Sequence, residues 1–187
     1  LPAFKKALTE GTLDVGLASD VSTVPYGSLV QVLREEEIFL AISMFHPYAL
    51  THPSGTPITA EEVKANFAGD SLLLSKKGAS LRMIGDQFFD SCGFEPVAVC
   101  ETNNISATRS MVAQNAGVAF ISESCSINRN HIAYYPLSPA MKRLNLVVHQ
   151  KDWVLNEPEQ AFMDQILNYF KQNTEHPYLA EKYSISF

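Results

Sequence analysis

The sequence predicts an α/β protein of mostly parallel sheet flanked by helices, and three observations carry that expectation. Short, continuously apolar runs such as Phe39-Leu40-Ala41-Ile42 and Val118-Ala119-Phe120-Ile121 have the composition of strands buried on both faces, as in parallel sheets. Between such runs lie stretches with apolar residues at helical spacing, and regular alternation of strand and helix implies helices layered on a sheet. Apolar residues make up 46% of the 187 residues and charged ones 18%, enough to bury a core and too few charges for a disordered chain.

The elements follow in order. Residues 2–10 form a short helix with Phe4, Ala7 and Leu8 on one side and Gly11 as its stop. A strand at 13–18 runs into Ser19-Asp20. Glu35-Glu36-Glu37 reads as a solvated loop face before a strand at 38–43, which leads into the His46-Pro47 turn. Thr59-x-x-Glu62 is a capping box opening a helix over 59–67, and a strand follows at 71–75. Residues 80–92 place Leu81, Ile84, Phe88 and Cys92 on one helical face, ended by Gly93. A strand at 96–100 runs into Glu101-Thr102-Asn103-Asn104 and a helix over 104–114. Strands follow at 118–121, 132–136 and 144–149, and then a helix over 156–171 with Asn156 as N-cap and Pro158 in its first turn. Turn-rich stretches at 44–51 and 135–140 read as hinges. Two crossings build one lobe from both chain ends, residues 1–45 and 138–187, and the other from residues 46–137.

The formal net charge is −6, and the 14 Lys and Arg are scattered in pairs at most. That argues against a DNA-binding or anionic-membrane surface in this chain. No apolar run approaches the ~20 residues of a membrane span. Cys92, Cys100 and Cys125, an odd and sparse set without CxxC spacing, read as buried thiols of a cytoplasmic protein. The opening on Leu1 rather than Met, with no leader, reads as a fragment or a processed chain. No GxGxxG, GxxxxGK[ST], GxSxG or HExxH occurs, and His46, His52, His131, His149 and His176 have no metal-ligand spacing. No catalytic residue, metal or cofactor is expected. Binding is, because ligands of open α/β sheets sit beyond the carboxyl ends of strands. Three such ends carry small polar groups: Ser19-Asp20, Ser43, and Glu101-Thr102-Asn103. At the third, N-cap residue types precede a helix whose first-turn N–H groups can hold a carboxylate or phosphate oxygen. Plain helix capping is the competing reading there.

The ordered motifs resemble the effector-binding domain of LysR-type transcriptional regulators. Leu8-Thr9-Glu10-Gly11-Thr12-Leu13-Asp14 is similar to that family's L..G.LD segment. Glu37 to Ile42 with His46-Pro47-Tyr48-Ala49 is similar to its strand and HPLA turn. Arg82 with Phe88-Phe89, Gly93-Phe94-Glu95-Pro96, Met111-Val112-Ala113 and Gly117 to Ile121 continue the likeness to the return strand at Arg143 to Val148. Asn115 stands where the family has Gly, and Ser122 where it has Pro; Asn is the next-best residue for a left-handed turn.

The resemblance implies a two-lobe fold of the type II periplasmic-binding-protein kind, sensing a small metabolite in the cleft between lobes. By position it implies a site at Ser43, Glu101, Thr102 and Asn103, with Ser19 and Asp20 beside them. It implies a small organic acid or amino acid as effector, and pairing into a homodimer or higher oligomer through the first lobe. DNA contact would come only through a winged helix-turn-helix, which with a linker helix and a first strand is not found ahead of Leu1. A transporter's solute-binding protein is the alternative with the same two-lobe physics. An enzyme on this fold would need convergent acid, base or phosphate-binding groups.

Overall fold

In the computed structural model, residues 2–22, 30–126, 131–149 and 154–172 are described, and the strands and helices fall into two compact units. The first comprises Leu1–Glu35 with Arg143–Phe187, the second Glu36–Lys142.

In the first unit, α1 (Pro2–Thr9) precedes β1 (Val15–Asp20), and β1 pairs antiparallel with β8 (Lys142–His149). Leu8, Leu146 and Val148 are buried together, with Phe4, Leu13, Ala18, Val30 and Leu144 packed against them. Helix α6 (Glu157–Gln172) starts where the sequence places it. Asn156 Oδ1 accepts from the Glu159 N–H at 3.0 Å, and the Glu159 carboxylate accepts from the Asn156 N–H at 2.8 Å. That reciprocal cap satisfies two donors a helix start otherwise leaves open.

The second unit is a mixed sheet with helices on both faces. Its strands are the later part of β2 (Val30–Ser43), β3 (Ile58–Thr59), β4 (Leu72–Leu74), β5 (Ala98–Glu101), β6 (Val118–Ser122) and β7 (Ile132–Ser138). Pairing gives the order β5-β4-β6-β2-β7-β3. β4 is parallel to β5 and β6, and β3 is parallel to β7, but β2 runs antiparallel to both its neighbours. The second unit's sheet is thus mixed where a mostly parallel one was expected, and in the first unit the β1–β8 pairing is antiparallel.

Along β2, Ile38, Leu40 and Ile42 face a core with Phe120, Tyr135 and Leu137. That core is closed by Tyr48 of α2 (Pro47–Thr51), Val63 and Phe67 of α3 (Ala60–Phe67), and Ile84, Phe88 and Phe89 of α4 (Ser80–Cys92). The alternate residues Phe39, Ala41, Ala119 and Ile121 are also buried, and α5 (Ile105–Ala113) packs on β6 and β7. Cover on both faces is why these strands read as unbroken apolar runs. Local signals hold as read. Thr59 caps α3 with Glu62 in a complete capping box, Gly93 ends α4 at φ 68°, and Asn115 takes the left-handed conformation at φ 58°.

One reading is corrected. Glu35-Glu36-Glu37 is not a loop face but part of β2, which begins at Val30, and Glu36 is 1% exposed. Its carboxylate accepts from the Ser124 N–H at 3.2 Å, while Glu123 accepts from the Glu37 N–H at 3.4 Å. Both carboxylates are buried and both satisfy backbone donors, which compensates part of their desolvation.

Candidate functional site

Strand direction decides which polar groups can meet. Leu74 of β4 lies beside Glu101 of β5, and Leu73 beside Ala119 of β6, all parallel. The carboxyl ends of these three strands therefore share one edge of the second unit's sheet. Ser75-Lys76, Thr102-Asn103 and Glu123-Ser124 follow directly from them.

Both helices that follow β4 and β5 start at this edge. Asn104 is the N-cap of α5, its side chain accepting from the Ala107 N–H at 3.1 Å. α4 starts after Ala79, with no side chain capping it. Such starts leave first-turn N–H groups directed outward and place partial positive charge there. Lys76 and Lys77 are exposed on the turn between β4 and α4.

The predicted residues here are tied to one another. The Thr102 N–H donates to Leu74 O at 2.9 Å, and Thr102 Oγ1 accepts from the Asn104 N–H at 3.1 Å. Asn103 Oδ1 accepts from the Lys76 N–H at 2.9 Å, which fastens the end of β5 to the end of β4. The Thr102 hydroxyl hydrogen and the Asn103 amide NH₂ still have donor capacity. Glu101 pairs with Arg82 Nη1 at 2.7 Å; the same guanidinium gives Nε to Asp86 at 2.7 Å and Nη1 to Ser75 O at 3.2 Å. The hydrogen bond to Glu101 first, and that to Asp86 second, push the Arg82 pKa above its usual value. One Arg82 charge is shared between Glu101 and Asp86 and so offsets only part of theirs, while Lys76, Lys77 and two helix starts add positive charge at the same edge.

Ser43 does not join this group. It pairs with Ile132, while Ile38, at the other end of the same stretch of β2, pairs with Ser122. Because β2 is antiparallel to β6, its carboxyl end falls at the opposite edge of the sheet. There Ser43 is 1% exposed, and its Oγ accepts from the Phe45 N–H at 3.2 Å. Ser19 and Asp20 lie in the first unit, at the end of β1. Ser19 Oγ donates to Asn145 Oδ1 at 2.8 Å, and buried Asp20 accepts from the Val21 N–H at 2.7 Å.

Arg82 and the turn at Ser75–Lys77 contact the predicted residues but are not singled out as site residues by the sequence. Asp86, four residues on from Arg82, signals a helical ion pair. Nothing local signals Glu101, 19 residues away. Among the described residues no three of His, Cys, Asp and Glu are grouped to hold a metal ion, and Cys92, Cys100 and Cys125 are free thiols. No described helix is long and apolar enough to cross a membrane. His176 lies outside the described residues.

A profile described as the LysR substrate binding domain matches residues 2–171. The chain is 25% identical over 167 residues to the uncharacterized HTH-type transcriptional regulator YybE of Bacillus subtilis (strain 168), covering 88% of this chain and 54% of the relative. It is 25% identical over 177 residues to YwqM of the same organism, covering 89% and 55%. The chain thus spans about half the length of the curated relatives it matches. Two similar solved structures share its fold. The regulatory domain of CcmR from Synechocystis PCC6803, in complex with 2-PG, has TM-score 0.70 and 16% identity over 91% of this chain and 80% of that one. The effector binding domain of QuiR, in complex with shikimate, has TM-score 0.68 and 18% identity over 91% and 78%.

Proposed function

This chain belongs to the LysR substrate binding domain family, and on that premise we propose that it is the effector-sensing part of a transcriptional regulator. It is read as a binding module, not an enzyme, acting in the cytoplasm on DNA that another part of the protein contacts. The curated relatives are transcriptional regulators, which favours this reading over a transporter's solute receptor.

The observation that carries the reading is the convergence of the α4 and α5 starts at one sheet edge, beside Lys76 and Lys77 and the unused donors of Thr102 and Asn103. Helix starts, cations and hydroxyl or amide donors suit an anion. The ligand class is a small organic acid or an amino acid held by its carboxylate. Thr102 and Asn103 donate to it, Glu101 acts through Arg82, and Ser19 and Asp20 remain candidates of the first unit. Effector binding shifts the population of protein conformations, and the effect on transcription is no larger than the differential affinity allows.

Isothermal titration with small carboxylates tests this, with 2-PG and shikimate, held by two domains of the same fold, heading the panel. Binding is expected to weaken in Thr102→Ala and Asn103→Ala and to persist in Thr102→Ser, which keeps the hydroxyl. A carboxylate that binds both alanine variants as tightly as the unaltered chain refutes the assignment. We further propose a homodimer through the first unit, where α6 exposes Phe162 at 46% and Tyr169 at 62%.

A further inference from the structure

The opposite edge of the second unit's sheet has the reverse polarity. A cavity of about 470 Å³ there is lined by His46, Tyr48, Asn66, Asp70, Ser71 and Asn115, among others. Its volume is in the range of small-molecule sites. Two helices end at it. α3 stops at Phe67 with Ala68 as its C-cap, and Gly69 and Asp70 continue into the cavity wall. α5 stops at Ala113, and left-handed Asn115 turns the chain so that the Ala116 N–H returns to Met111 O at 3.0 Å. Helix ends carry partial negative charge, and neither Lys nor Arg lines the cavity.

The geometry of His46 sharpens this. Its Nδ1 accepts from the Tyr48 N–H at 3.2 Å. Its Nε2 lies 3.0 Å from Asp70 Oδ2. The ring stacks on Phe67, with centroids 5.0 Å apart, which fixes this orientation. This contact leaves the Asp70 side chain 32% exposed on the cavity wall.

We propose that this cavity binds a small organic cation, a primary ammonium or a guanidinium group, with the Asp70 carboxylate as its anchor. A single carboxylate beside the negative ends of two helices suits N–H donors. A divalent metal ion would take several oxygen or nitrogen ligands, and no such group of side chains occurs among the described residues. The site is independent of the anion-binding edge, so each reading can fail alone.

The test is an NMR titration of the full chain with n-butylammonium chloride, with n-butanol as the uncharged control at matched ionic strength. Saturable amide shifts are expected at Gly69, Asp70, Asn115 and Ala116 with the amine and not with the alcohol. Asp70→Asn keeps the shape and an acceptor for His46, and should weaken amine binding by about tenfold or more. Gly69→Lys supplies a second arm that does not disturb that hydrogen bond. A Cβ on Gly69 meets nothing within 4 Å, and the added ammonium competes for the cavity, so binding should be lost with the fold intact. Shifts that do not saturate, butanol binding as tightly as the amine, or unchanged affinity in either folded variant overturns the proposal.

Discussion

Replacing Arg82 by Met removes a guanidinium that joins three elements: α4 through Asp86, the end of β4 through Ser75 O, and the end of β5 through Glu101. Methionine retains most of the side chain's apolar packing, so the change isolates the polar contacts. The hydrogen bond to Ser75 O contributes about 1 kcal/mol. Asp86 and Glu101 are 50% and 42% exposed, so solvent screens each ion pair to about 0.5 kcal/mol. The expected loss is therefore about 2 kcal/mol of unfolding free energy. Glu101→Gln alone should cost about 0.5 kcal/mol, and the double variant should show that the two losses are not additive. Freed from its partner, the Glu101 charge also faces any bound anion. At roughly 6 Å, and with an effective dielectric between about 80 and 20, the repulsion is about 0.7 to 3 kcal/mol, or roughly 3- to 100-fold in affinity. Urea unfolding of the two single variants and the double one measures the first effect. Titration with a carboxylate found by the panel measures the second, and Glu101→Gln in the Arg82→Met background should restore affinity. An Arg82→Met variant with unchanged stability and unchanged affinity refutes the role given to this cluster.

Burial pushes the Tyr135 hydroxyl up to about 12, and it donates to His52 O at 2.7 Å. A raised folded-state value means stability fully present below the unfolded value of about 10 and lost as pH rises toward 12, so urea midpoints should fall across that window, with a shallower fall in Tyr135→Phe. A Cβ at Gly117 would meet Ser71 O at 2.6 Å, and backbone cannot swing aside. Gly117→Ala should therefore lose about 1 to 3 kcal/mol in a thermal melt. Ile84 is 2% exposed in the core beneath α4, and Ile84→Ala should lose about 2 to 5 kcal/mol by urea unfolding. If α6 forms the homodimer contact, Phe162→Glu should lower the mass measured by light scattering without lowering the melting temperature of the monomer.

What the sequence made legible was local. The capping box at Thr59 and Glu62 closes within one turn, and Asn115 needs only its own left-handed conformation, so both can be read from neighbouring residues. The apolar runs at 39–42 and 118–121 are legible because helices cover both faces of that part of the sheet. Glu36 was opaque because the donor that stabilises its burial, the Ser124 N–H, lies 88 residues on in the chain. Ser43 was misplaced for a different reason. Its residue type at a strand end is that of a ligand site, but which edge a strand end reaches depends on direction, and β2 runs opposite to β6. No local pattern records that direction, because side chains alternate the same way in either orientation.

The polarity of the two edges follows from the same topology. A strand that hands over to a helix at its carboxyl end puts that helix's start at one edge of a parallel set and its end near the other. α4 and α5 start beyond β4 and β5, and α5 then runs about 14 Å to finish at the cavity holding Asp70. One helix thus presents its positive end to the proposed anion site and its negative end to the proposed cation site. That sign is set by aligned peptide dipoles. Substitutions at Thr102 or Asp70 are expected to change how tightly each proposed site binds, while the backbone's contribution to the sign of the preferred ion is expected to stay. Helix ends contribute only about 0.3 to 2 kcal/mol each, so selectivity among anions or among cations has to come from the side chains placed there.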